Sequence, residues 1–285
     1  MLTDNEVIDL EVKANNIRES IISMLLEAGS GHTAGPLGMA DIFSLLYFKI
    51  LKHNPKKPDW IDRDRLVLSN GHICPVLYAT MAHVGYFEIS ELQTLRKFGS
   101  RLQGHPHREY LPILENSSGP LGSGLSQAVG MALADKISNN SERYIYAMLS
   151  DGEHDEGNTW EGIMLGAKYK LNNLIAIVDR NHIQIDGNTE DIMPLGDLKI
   201  KWESFNWHVQ EVDGHNFRAM EDAINEAKSV SDKPSVIIAI TIPGRGVKEF
   251  ERDYKWHGKP PNYDEADMAL KELRTLGGKI ISEHQ

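Results

Sequence analysis

Apolar residues along this chain follow two periods, and the two alternate. In "NIRESIISMLLEAGSGH", Ile17, Ile21, Met24, Leu25 and Ala28 recur at helical spacing, and Gly29 follows where a helix C-terminus favours glycine. "MADIFSLLYFKIL" is apolar on more sides, which predicts a more deeply buried helix. "RLVLSNGH" predicts a short strand over 65–68 and a loop over 69–72. "GPLGSGLSQAVGMALADK" is a glycine-rich turn entering a helix of small residues. "RYIYAMLSDG" and "LIAIVDRN" are unbroken apolar runs, as expected of parallel strands covered on both faces. Between them Trp160, Ile163, Met164, Ala167 and Leu171 follow a helical period, and Asn158 with Glu161 resembles a capping box. "HVQEVDGHN", "FRAMEDAINEAKSV" and "PSVIIAITI" repeat the strand, helix, strand pattern. The prediction is a doubly wound α/β fold, a mostly parallel sheet flanked by helices. Such sheets bind ligands beyond the carboxyl ends of their strands. Asp151, Asn181, Asp213, Gly244 and the loop over 69–72 all fall at such ends.

No repeat, low-complexity tract or linker divides the chain. "DEADMALKELRTLGGKI" carries Ala266, Ala269, Leu270, Leu273 and Leu276 on one face, so residues 264–285 are expected to form one helix packed on a single domain of residues 1–263. With 285 residues, 41% hydrophobic and 25% charged, the composition is that of a globular protein. A formal charge of −11 argues against nucleic acid as the main partner, since phosphate-backbone binding needs a basic surface. Cys74 is the only cysteine, which rules out an intrachain disulfide. The acidic N-terminus lacks a signal-peptide core, and no apolar run approaches the ~18 residues of a membrane span, so a cytoplasmic protein is expected.

Candidate chemistry centres on Asp151 and Asn181, thirty positions apart at the ends of the two apolar runs. Neighbouring parallel strands lie about 5 Å apart, so the two side chains can meet. A carboxylate, an amide oxygen and a backbone carbonyl make an oxygen-only set suited to Mg²⁺ or Ca²⁺. So few charges call for a phosphate-bearing ligand to complete the shell, and Gly152 would let that phosphate approach the backbone. Ordinary turn residues remain the alternative on this pattern alone. Glu153 and Asp155 are expected in a solvated acidic turn. "GLSQA", residues 124–128, has the outline of a nucleophile elbow, but the segment before it is not strand-like.

The segment over 150–187 resembles the thiamine-diphosphate motif, an acidic "GDG" followed some thirty residues later by Asn. "SGHTAGPLGMADI", "DRDRLVLSNGH", "GHP", "GPLGSGLSQAVGMALA", "SDGEHDEGNTWEG", "DRNHIQIDG", "VDGHN" and "WHG" occur in the order and spacing of the N-terminal, diphosphate-binding half of transketolase. The chain departs from that family at Ser150, where Gly is usual, at Thr33 and Ala34, where Pro and Gly are usual, and at Arg180, where an acid is usual.

The resemblance implies specific roles. Asp151 and Asn181 would ligate a divalent metal (Mg²⁺, or Ca²⁺ or Mn²⁺) through their side chains, and Ile183 through its carbonyl. Gly152 would meet the diphosphate, and His72 would hydrogen-bond to it. Gly119, Pro120 and Leu121 would line the thiazole–pyrimidine region. His32, His105 and His257 would line the funnel to the reactive carbon, with His257 also near the diphosphate. Glu156 matches a position that reaches the partner at an interface, while His215 of "VDGHN" is expected to serve the turn. The implied activity is transfer of a two-carbon ketol unit from a ketose phosphate to an aldose phosphate, as in the pentose phosphate pathway. A pyrimidine-binding half is not evident in the sequence. A separate C-terminal transketolase subunit is therefore expected as partner, in an α₂β₂ assembly. Rival expectations are half of a 1-deoxyxylulose-5-phosphate synthase-like or dihydroxyacetone synthase-like carboligase, and a non-catalytic scaffold with the same fold.

Overall fold

The computed structural model of the chain describes residues 1–138 and 143–276. Helix α1 (Asp4–Ala28) starts at a Thr3–Glu6 capping box and ends at Gly29, whose φ of 61° lets its N–H reach Leu25 O. Helix α2 (Ala34–Leu45) is buried along its whole length and runs into a π-turn over Leu46–Ile50. Strand β1 (Arg65–Leu68) and α3 (Cys74–His83) follow, and then α4 (Ser123–Ile137). Strand β2 (Ile145–Ser150), α5 (Gly157–Lys168) and β3 (Leu174–Arg180) form the central unit. After β3 come a small ribbon of β4 (Ile183–Gln184) and β5 (Gly187–Asn188), then α6 (Thr189–Ile192) and α7 (Leu198–Ser204). Strand β6 (His208–Asp213), α8 (Phe217–Ser229), β7 (Ser235–Ile240) and α9 (Tyr263–Leu276) complete the described chain.

The main sheet is parallel throughout, in the order β1-β2-β3-β7-β6. Alternation of side chains splits the interior into two cores. Tyr146, Met148, Ile175, Ile177, Ile237 and Ala239 face α1, α2, α3, α8 and α9. Ile145, Ala147, Leu149, Ala176, Val178 and Ile238 face α4, α5 and α7. Each central strand is therefore apolar on both faces, which is why β2 and β3 read as unbroken runs. The described part of the C-terminal helix packs on α1: Ala266, Ala269 and Leu273 are buried and Asn15 Nδ2 donates to Leu273 O at 3.1 Å. Residues 277–285 of that expected helix lie outside the described residues.

Two local expectations fail at α5. The helix begins at Gly157 with no side-chain cap, and Asn158 instead donates to Leu121 O at 3.3 Å, so the capping box does not form. Met164 is exposed rather than buried. The close-packed face is made by glycines: a Cβ on Gly166 would lie 2.8 Å from Trp207 Cζ2, and one on Gly162 3.2 Å from Leu125 Cγ. Apolar periodicity does not register a face built from residues without side chains.

Candidate functional site

The ends of β2 and β3 are adjacent, with Ser150 paired to Asp179. This register brings Asp151 and Asn181 to the same edge. Asp151 is fully buried: its Oδ1 accepts from Gly152 N at 2.8 Å, and its Oδ2 from His182 N at 2.7 Å and Arg180 Nη1 at 3.2 Å. Asn181 Nδ2 donates to Asp179 Oδ2 at 2.8 Å, which turns Oδ1 the other way, where it accepts from Ile183 N at 3.0 Å. Asp179 thus orients the amide, a role not read from "VDRN". Thr241 Oγ1 also donates to Asp179. Burial raises the Asp151 carboxyl to about 6 against the pull of Arg180 and the two backbone amides, and burial with the Asp151 charge raises Asp179 to about 7.

Beyond these strand ends lies a cavity of 320 Å³. His32, His72, His105 and His257 line it together with Gly119, Leu121, Gly152, Asn181 and Ile183. The four imidazoles form one cluster. Ring centroids are 5.1 Å apart for His32–His72, 5.5 Å for His32–His257, 5.2 Å for His72–His257 and 6.2 Å for His32–His105. They come from four separate loops, which backbone contacts hold together. Thr33 Oγ1 donates to Lys259 O at 2.6 Å, joining the His32 loop to the His257 loop, and Ser118 N donates to Pro106 O at 3.0 Å, joining the glycine-rich turn to the His105 loop. Two expected residues sit elsewhere: Pro120 is exposed and does not line the cavity, and Asp151 lies beneath the wall that Ser150 and Gly152 form.

Burial is the main reason these imidazoles stay neutral. It lowers His32 to about 3, helped by the cost of charging it beside His257 and His105 and by the nearby Arg96 charge, and it lowers His257 to about 4. His72 is held well below its ordinary value by burial, and His105, which is exposed at the cavity mouth, is lowered by the desolvation of its inner side and by the Arg96 charge. Neutral imidazoles keep one donor and one acceptor each, which suits sugar hydroxyls and proton exchange. His154, buried behind the Asp151 turn, is lowered to about 4 by burial and accepts from Trp202 Nε1 at 3.1 Å.

A pH dependence follows. Unfolded imidazoles take up protons near pH 6.5, whereas folded His32, His257 and His154 do so only near 3–4, so the unfolded state binds more protons between those values. Asp151 and Asp179 act in the opposite sense, since their raised folded values favour folding as pH falls through 7 and 6 toward 3.8. The imidazoles outnumber them. Melting temperature should fall on acidification from pH 6.5 to 4.5, at up to about 1.4 kcal/mol per pH unit for each unmatched proton. His32→Gln should flatten that slope in thermal melts, and an unchanged slope would remove His32 from the cause.

Three features of the site bear on the fit of a diphosphate cofactor and its ion. His32 Nδ1, His257 Nδ1 and Gln184 Nε2 are buried polar atoms in its wall with no partner among the described residues. A Cβ on Gly152 would find only Gln184 Cβ, at 3.8 Å, so the backbone there is approachable. The Asp151 carboxylate has about four acceptor sites and uses three.

Other expectations resolve differently. Glu153 is fully buried, not in a solvated turn: the hydroxyl of Ser69 and the N–H of Gly122 and Ser150 all donate to its carboxylate. Its donors lie 84 and 31 positions away as well as nearby, so local sequence gives no sign of them. Asp155 is exposed, as expected of a solvated turn, and so is Glu156. Ser126 of "GLSQA" lies within α4, with no strand leading into it. The His215 side chain is held between Asp41 Oδ2, 2.7 Å from its Nδ1, and Ile242 N, which donates to its Nε2 at 2.8 Å. Arg18 completes that group at 2.7 Å from Asp41, tying the β6 and β7 ends to α1 and α2.

Residues 10–277 match the family model of the transketolase thiamine diphosphate binding domain. The chain is 40% identical over 270 residues to a 6-deoxy-6-sulfo-D-fructose transketolase subunit of Clostridium sp. (strain MSTE9), covering 95% of this chain and 98% of that protein. It is 38% identical over 282 residues to an apulose-4-phosphate transketolase subunit of Phocaeicola vulgatus, covering 98% and 99% respectively. Against transketolase 2 of Escherichia coli the identity is 39%, over 91% of this chain but 40% of that protein. The solved Pichia stipitis transketolase with sedoheptulose 7-phosphate superposes with a TM-score of 0.89 at 35% identity, over 95% of this chain and 41% of the other. Motif order, sheet topology and these matches lead to one family: the chain belongs to the transketolases, as their thiamine diphosphate-binding domain.

Proposed function

We propose that this chain is the N-terminal subunit of a two-component transketolase. The observation that carries the proposal is the four-imidazole cavity lying against the paired ends of β2 and β3. The span of the match supports the division into two components, since the chain covers nearly all of the subunit relatives and about two-fifths of the E. coli enzyme. In this reading residues 1–263 form the cofactor-binding domain and the C-terminal helix from residue 264 packs on it. Its partner is a C-terminal transketolase subunit in an α₂β₂ assembly. Its place is the cytoplasm, and no helix among the described residues is long and apolar enough to cross a membrane.

Thiamine diphosphate would supply the carbon centre at which a ketose phosphate is cleaved and a two-carbon unit passed to an aldose phosphate. This chain's residues hold and orient. Asp151, the Asn181 side chain and the Ile183 carbonyl would take Mg²⁺, and Gly152, His72 and His257 would take the diphosphate. Gly119 and Leu121 would support the rings. His32, His105 and His257 would bind sugar hydroxyls and exchange protons with them. Titration of thiamine diphosphate into the chain with its C-terminal partner tests the reading. Saturable binding in Mg²⁺ that weakens at least tenfold in EDTA is expected. Absence of binding with the partner and Mg²⁺ present would overturn it in favour of a scaffold.

A further inference from the structure

We propose that Glu153 is a positioning residue whose buried carboxylate clamps together three backbone segments that wall the cofactor cavity. These are the end of β1, the end of β2 and the glycine-rich turn before α4. The inference rests on the cofactor reading above and deepens it.

The side chain has no solvent exposure. Glu153 Oε1 accepts from the Ser69 hydroxyl and the Gly122 N–H, and Oε2 accepts from Ser150 N at 3.1 Å. Ser69 Oγ in turn accepts from Gly124 N at 3.1 Å, so the turn is held at two points. Thr159 Oγ1 donates to the Glu153 carbonyl at 2.7 Å, which fastens the residue to the first turn of α5. A carboxylate out of water is tolerated only when such donors replace its hydration. Here every donor is a neutral hydroxyl or amide, and the donors come from three different segments.

Each of those segments carries part of the cavity wall. Ser69 begins the loop that ends at His72, Gly122 follows Leu121, and Ser150 lines the cavity beside Gly152. The turn has little slack. Gly122 has a φ of 79°, and a Cβ there would fall 1.9 Å from Asn158 Oδ1. A Cβ on Gly124 would fall 2.5 Å from Ser69 Cα. Glu153 therefore sets the separation between the wall that holds Gly119 and Leu121 and the wall that holds Gly152.

Glu153→Gln and Ser69→Ala, alone and combined, test this in the full chain with Mg²⁺ and its C-terminal partner. In Glu153→Gln an NH₂ replaces one oxygen. If the remaining oxygen keeps Ser69 and Gly122, the NH₂ faces the Ser150 N–H, donor against donor. Thiamine diphosphate affinity, measured well below the melting temperature, should fall about tenfold or more for Glu153→Gln. The combined variant should lose less than the product of the two single losses, because both act on one linkage. Should Glu153→Gln fail to fold, Ser69→Ala alone carries the test, since it keeps the carboxylate and removes one hydroxyl. Variants that melt lower yet bind the cofactor within threefold of the unsubstituted pair would make Glu153 an element of stability alone and overturn the inference. If the unsubstituted pair binds no cofactor, the cofactor reading itself falls and takes this inference with it.

Discussion

Asp151→Asn should weaken binding of thiamine diphosphate with Mg²⁺ by at least about 100-fold, the largest loss expected from any single substitution at the site. The substitution keeps the shape of the side chain and removes its charge. Mg²⁺ binds protein through one or two carboxylates plus phosphate oxygens, and Asp151 is the carboxylate in the proposed set. A second effect appears without cofactor. Both Asp151 oxygens accept backbone N–H groups, and one also accepts from Arg180. An amide must turn its NH₂ toward either Gly152 N or the pair of His182 N and Arg180; in the second case the buried Arg180 keeps Glu190 and Thr189 as partners, and in both it loses the carboxylate charge. That should cost about 1–3 kcal/mol, or several degrees in melting temperature. Calorimetry and thermal melts read the two effects separately. A variant that binds within threefold of the parent would remove Asp151 from the metal site.

The second large effect concerns assembly. Alone, this chain should convert ketose phosphate at under ~1% of the rate reached with the C-terminal subunit, because loss of acid–base partners and of water exclusion typically costs 10²-fold or more. The cavity is open: Ile185, one of its lining residues, is 64% exposed, and His105 faces solvent. Steady-state assays of the two subunits, singly and in equimolar mixture, with a ketose phosphate donor and an aldose phosphate acceptor, decide the matter. Turnover by the chain alone within tenfold of the mixture would end the two-component proposal. Running the mixture with pyruvate as donor separates the 1-deoxyxylulose-5-phosphate synthase-like alternative.

Much of this architecture is legible in the sequence because the residues concerned report on their own neighbourhood. Strands β2 and β3 are apolar on both faces, so the runs ending at Asp151 and Asn181 stand out, and adjacency of those ends follows from a parallel sheet. The four cavity histidines lie in short glycine-containing loops whose motifs are distinctive. What stays hidden depends on contacts between distant segments. Glu153 looks like one more acid in a surface turn until Ser69 and Gly122 are brought to it. Asp179 reads as one residue of an apolar strand, and what fixes it is Thr241, 62 positions away, with the Asn181 amide on its other oxygen. Asn158 has the spacing of a cap, but the nearby Leu121 carbonyl takes its amide.

The neutrality of the imidazole cluster has a consequence for how such an enzyme changes its diet. Among the described residues, none lining the cavity is Lys or Arg, and the cavity's histidines are held uncharged. In the proposed reading this half grades sugar hydroxyls, and none of its cavity-lining residues is a Lys or Arg that could meet a substrate's anionic tail. Dividing the enzyme into two polypeptides would then separate a reusable reaction chamber from an exchangeable reader of sugar identity, so that substrate range could shift by replacing one polypeptide while this one stays as it is.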